Sequence, residues 1–156
     1  MISNLFNKNQ KNKNNDQNND LMKVVALLIH AAKIDENYSE KERRMIVNFT
    51  ELFLKKEREK NENINNLSQN EIIGLVEKAE EYEKNSNQIL EYTQKVKKMD
   101  LNTKKLVLEF LWNIILSDDK SDIYESTLMR RICGLMYVPD KLSGEIKSNI
   151  LKGKKS

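Results

Sequence analysis

One cysteine, one proline, one histidine and four glycines in 156 residues are scarcities that each close off a class of protein. Cys133 has no partner for an intramolecular disulfide, so the fold is not a stapled scaffold, and a reducing interior suits it. His30, with no second histidine and no cysteine close to it in sequence, cannot complete a zinc site of ordinary ligand number. So few glycines and prolines leave few breaks in regular structure. No apolar run approaches the roughly 18 residues of a membrane-spanning helix. Met1 is followed by polar sequence without the apolar centre of a secretory leader, so the expected compartment is the cytoplasm. No excess of one charge stands out either: 27 Lys and Arg face 24 Asp and Glu, a net +3. The signs are mixed rather than gathered into a basic stripe, which argues against a nucleic-acid surface. A glycine-rich phosphate loop, a Ser/His/Asp set and a Cys/His pair are all missing, and the chain is expected not to be an enzyme.

Lys, Glu, Leu, Ile and Asn dominate what is present, and the composition reads as all-α. The length suits one domain with one core. Residues 1–19 are a low-complexity Asn/Lys-rich tract expected to be a disordered tail, with too few apolar groups to offset ordering. Leu5 and Phe6 alone in it could touch the body, a partner or a membrane surface, so peripheral membrane association stays open. The helical domain is expected over 20–150, followed by a basic C-terminal tail at 151–156.

Within the domain, Val24, Leu27, Leu28 and Ala31 share one helical face between Asp20 and Ile34. Ser39 with Glu42 is a capping box that opens a second helix over Met45, Ile46, Phe49, Leu52 and Phe53, reaching about Lys60. Ser68 with Glu71 opens a third, with Ile72, Leu75, Val76 and Ala79 inward. Ile89, Tyr92 and Val96 mark a fourth helix or a kinked continuation. Asn102 or Thr103 is expected to cap a fifth over Val107, Phe110, Leu111 and Ile114. Asp122 with Glu125 opens a sixth over Leu128, Ile132, Leu135 and Met136. Pro139 fits the first turn of a seventh, with Leu142, Ile146 and Ile150 inward.

These elements contain an internal echo. Val24, Leu28, Asp35, Glu42 and Leu52 return 83 residues on as Val107, Leu111, Asp118, Glu125 and Leu135. The expected architecture is a single-domain bundle of about seven helices with two pseudo-repeated helix pairs, each bent at an acidic turn. The anchors Leu27-Leu28-x5-Ile34-Asp35-x6-Glu42 and Leu111-Trp112-x5-Asp118-x6-Glu125 resemble those of the TerB family of tellurite-resistance proteins and the related N-terminal domain of the DjlA co-chaperones. The resemblance covers about residues 21 to 150. The family commonly has Asp-Gly in these turns, whereas Glu36 and Asp119 follow the aspartates here. His30 is followed by Ala31, so the co-chaperone's His-Pro-Asp motif is absent.

The resemblance implies a non-catalytic interaction or scaffold module linked to tellurite or general stress resistance, with a protein partner. It also implies that the turn carboxylates Asp35, Glu42, Asp118, Asp119, Asp122 and Glu125 hold a divalent cation. Their oxygen-only donors would suit calcium or magnesium. The plainer reading is that Glu42 and Glu125 are helix caps, favoured in a first turn by the helix dipole without any metal. His30 reads as a hydrogen-bonded, partly buried side chain, Cys133 as a small buried hydrophobe, and Trp112 as core packing before partner anchor. Arg43-Arg44 and Arg130-Arg131 read as ion-paired with nearby acids before they read as a phosphate or acidic-partner contact. A helical protein binding nucleic acid through its basic tails is the alternative function.

Overall fold

The computed structural model describes residues 19–34, 38–64, 66–86, 89–118 and 123–155, with the side chains of 118, 123–125, 154 and 155 outside that description. The tail at 1–18, the turn residues Asp35, Asp119 and Asp122, and the side chains of Asp118 and Glu125 therefore lie outside it. The described residues form seven α-helices: α1 (19–32), α2 (Glu40–Lys60), α3 (Gln69–Asn85), α4 (Ile89–Thr93), α5 (Leu101–Ile115), α6 (Ile123–Leu135) and α7 (Asp140–Lys155). Short 3-10 turns at Val96–Lys98 and Leu116–Asp118 join α4 to α5 and extend α5. Among the described residues there is no strand.

Local chemistry sets the boundaries. Ser39 and Ser68 both make the expected capping boxes, each serine oxygen accepting from the amide three residues on while the glutamate there reaches back to the serine amide. The fifth helix begins earlier than its pattern indicates. Asp100 caps it, its carboxylate accepting from the Thr103 amide at 2.8 Å, because an aspartate one step before Leu101 offers a better-placed acceptor than Asn102 or Thr103 inside the helix. Pro139 also sits one step earlier than expected. It precedes α7, and its carbonyl accepts from the Leu142 and Ser143 amides. The basic run at the chain's end continues α7 to Lys155 rather than standing apart as a tail, with lysines where the helix dipole favours cations.

Helix α1 is buried around most of its circumference. Val25, Ala26, Ile29 and Ala32 are as inaccessible as the expected stripe of Val24, Leu27, Leu28 and Ala31, so α1 is a central rather than a surface helix. Helix α5 also buries more than one face, with Leu106, Leu108, Trp112 and Ile115 joining Val107, Leu111 and Ile114, while Phe110 stays half-buried. Phe49 of α2 packs against α5, its ring centroid 5.2 Å from that of Phe110 in an edge-on arrangement. Several positions 83 residues apart are buried alike: Val24 and Val107, Leu28 and Leu111, Ile46 and Met129, Phe49 and Ile132, Thr50 and Cys133, Phe53 and Met136. Leu52 and Leu135, which anchor the sequence echo, lie outside the core, Leu52 exposed and Leu135 half-buried.

One backbone position breaks local preference. Helix α6 ends with the Val138 amide donating to the Cys133 carbonyl at 2.9 Å and the Tyr137 amide to that of Gly134 at 3.3 Å. This double closure places the residue between in the left-handed region, where glycine is usual. Tyr137 occupies it at φ 56°, at a cost of about 1 kcal/mol from its Cβ against the backbone.

Candidate functional site

The corner where α1 meets α2 concentrates the buried charge. In α3, Ile72, Val76, Ala79 and Glu83 follow one inward stripe, so a carboxylate is carried into an apolar seam. Glu83 is 7% exposed and needs partners there. Lys33 Nζ donates to its Oε2 at 2.8 Å, and His30 Nδ1 lies 3.3 Å from its Oε1. The His30 ring in turn lies 5.9 Å from the ring of Tyr92, whose hydroxyl donates to the Ser86 carbonyl. The neighbouring Tyr82 hydroxyl donates to Glu91 at 2.6 Å, which with Ser86 holds the Glu91 carboxyl below its usual range. These bonds fix α1 against α3 and α4.

On the α2 side, Glu42 is 2% exposed and its Oε1 accepts from both the Ser39 amide, at 3.0 Å, and the Ser39 hydroxyl, at 2.9 Å. Arg43 reaches across to α3 rather than along its own helix, donating from Nε to Glu80 at 2.9 Å. Tyr38 lies over this junction, and its hydroxyl is buried with no hydrogen-bond partner among the described residues. Burial first, and then the Glu80 carboxylate, push its phenol well above its usual range.

Helix α5 is held to the bundle by other groups. Trp112 occupies the position of Ile29, and its indole Nε1 donates to Ser143 of α7 at 3.0 Å, while Lys147 Nζ lies 4.9 Å above the ring. Trp112 is 6% exposed, so it packs in the core between α5 and α7. Cys133 is also buried, and burial pushes its thiol above the usual range, the opposite of what an activated nucleophile needs.

Of the six carboxylates expected to hold a cation, Glu42 alone has a described side chain, and it serves as a cap. Among the described residues no three His, Cys, Asp or Glu side chains come together in a way that could hold a metal ion. The described part of the first corner also carries the Lys33 and Arg43 cations, a poor surrounding for another. Glu83 escaped sequence reading although a signal for it existed: a charged residue continuing the apolar stripe of α3. Its partners, 50 and 53 residues away, left no trace in the sequence.

None of the described helices is long and apolar enough to cross a membrane. No curated protein and no solved structure gives a significant match to the chain. The family model described as tellurite resistance protein TerB matches residues 21–148, the stretch that runs from the first turn of α1 well into α7 and includes both corners. An all-helical bundle matched over nearly its whole folded length identifies the chain as a member of the TerB family.

Proposed function

We propose that the chain is a non-catalytic interaction module serving tellurite or general stress resistance in the cytoplasm, and that its ligand is another protein. The observation that carries this reading is how the first corner uses its charges. Glu83 binds His30 and Lys33, Arg43 binds Glu80, and Glu42 caps α2 through Ser39, so the groups best suited to chemistry are occupied in capping α2 and in joining α1 and α2 to α3. A body cross-braced in this way suits presentation of a surface.

The cation belongs, in this reading, to the second turn. Asp118, Asp119, Asp122 and Glu125 supply oxygen donors of the kind calcium and magnesium take, whereas in the first turn Glu42 Oε1 already accepts two bonds. A pull-down of the full chain from its native cells, with and without chelator, tests both parts. Saturable recovery of a protein partner is expected, and repeated recovery of none would end the reading. Calcium is expected to raise the melting temperature of the wild type but not of Asp118→Ala/Glu125→Ala, and no rise in the wild type removes the cation alone.

A further inference from the structure

We propose that the exposed end of α6, comprising Arg130, Gly134 and Tyr137 with Lys97 beside it, docks an acidic segment of a protein partner. This deepens the interaction-module reading and rests on it.

Arg130 and Gly134 lie one turn apart on one face of α6, Tyr137 stands two residues past the helix end, and all three are exposed. Two of them are poor choices for the fold. Tyr137, 68% exposed, stands in the left-handed position that glycine fills at least cost. Gly134 stands inside the helix, where alanine would be better, and a Cβ there would meet nothing within 4 Å. Packing within the chain explains neither the large residue where a small one fits nor the small one where a large one fits. Breaks of local preference that bring no gain to the fold collect at functional surfaces. A bare backbone patch beside a projecting tyrosine suits close approach of a partner's main chain, with the ring as anchor.

Charge names the partner. Lys97 Nζ lies 4.6 Å from the centre of the Tyr137 ring. Lys97, Lys98, Arg130 and Arg131 are exposed, and among the described residues none of the four is ion-paired with a carboxylate. Arg43, in the helix that follows the first acidic turn, is by contrast paired with Glu80. Exposed cations that no described acid neutralises, one of them lying against an aromatic ring, complement a segment rich in Asp and Glu. A nucleic-acid strand fits less well, because Lys97 covers a ring face that a stacked base would need.

The test is fluorescence anisotropy of a labelled peptide of repeated Glu-Glu-Leu units titrated with the full chain at low salt, with melting curves of each variant. The wild type is expected to bind. Tyr137→Gly is expected to weaken binding roughly tenfold while raising the melting temperature by about 3 °C, because it relieves the left-handed strain. Gly134→Ala should likewise melt about 3 °C higher and bind several-fold more weakly. Arg130→Glu should bind roughly tenfold more weakly without a change in melting. A purely structural role would not move binding and stability in opposite directions. The proposal is overturned if the peptide does not bind, if these variants bind it as the wild type does, or if single-stranded DNA or phosphatidylglycerol vesicles bind more tightly than the peptide. A native partner still recovered by Tyr137→Gly/Arg130→Glu would overturn this face while leaving the module reading intact.

Discussion

The α1/α2 pair and the α5/α6 pair bury several positions 83 residues apart alike, yet they are held to the rest of the bundle by different chemistry. Leu28 and Leu111, or Phe49 and Ile132, play matching parts in the core. Around them, α1 uses His30 and Lys33 to grip a buried carboxylate of α3, where the corresponding positions in α5 are Asn113 and Leu116. Helix α5 instead packs Trp112 against Ser143 of α7. The periodic apolar pattern fixes which face of a helix goes inward. Its partner is chosen by the few polar groups that must find complements once buried.

That comparison breaks most visibly in the core. Leu28→Ala and Leu111→Ala should each destabilise the chain by about 3 kcal/mol, since each removes a side chain with no exposed surface and leaves a cavity. Denaturant melts of the two should agree to within about 1 kcal/mol, and a nearly neutral effect at either position would break the correspondence. Lys33→Met comes next, with a loss of about 2 kcal/mol expected because Glu83 would keep its burial and lose its closest cation. The same change on Glu83→Met should cost much less than on the wild type, and equal costs on both backgrounds would show that Lys33 and Glu83 are not coupled.

Trp112→Phe should cost about 1 kcal/mol through the lost bond to Ser143, and Ser143→Ala should cancel most of that difference. Independent, additive losses would count against the Trp112 anchor. The smallest effect belongs to Asp100, half-exposed and bonded to Lys60 at 2.5 Å. The Lys60 ammonium first, and the Thr103 hydroxyl and amide after it, hold its carboxyl well below the ordinary range. A depressed folded pKa adds stability above the unfolded value, near 4, and that stability is lost as pH falls through the folded value. Asp100→Asn should therefore melt about as the wild type does at acid pH and cost about 0.5 kcal/mol at neutral pH. A cost that grows toward acid would reverse the sign of this linkage.

Much of the fold could be read from the chain because its signals are local. The two serine boxes and the apolar stripes each depend on residues within a turn or two of one another. The cap at Asp100 lies two or three positions before the residues that the pattern offers, because several polar residues compete there for the same amide. The all-round burial of α1 escaped because Val25, Ala26 and Ile29 read as an ordinary mixture beside a cleaner stripe. The site was less legible. Glu83 meets His30 and Lys33 only through tertiary packing, and the strain at Tyr137 follows from how α6 closes, which no periodicity encodes. Of the turn carboxylates, Glu42 was readable as a cap because its serine lies three residues away.

If the first corner braces the bundle and the end of α6 meets the partner, then photocrosslinking in native cells should separate the two. A photoreactive residue in place of Tyr137 is expected to give a covalent adduct that maps to an Asp/Glu-rich protein segment, while one in place of exposed Glu40, at the start of α2, gives none. An adduct from position 40 with nothing from position 137 would contradict the account.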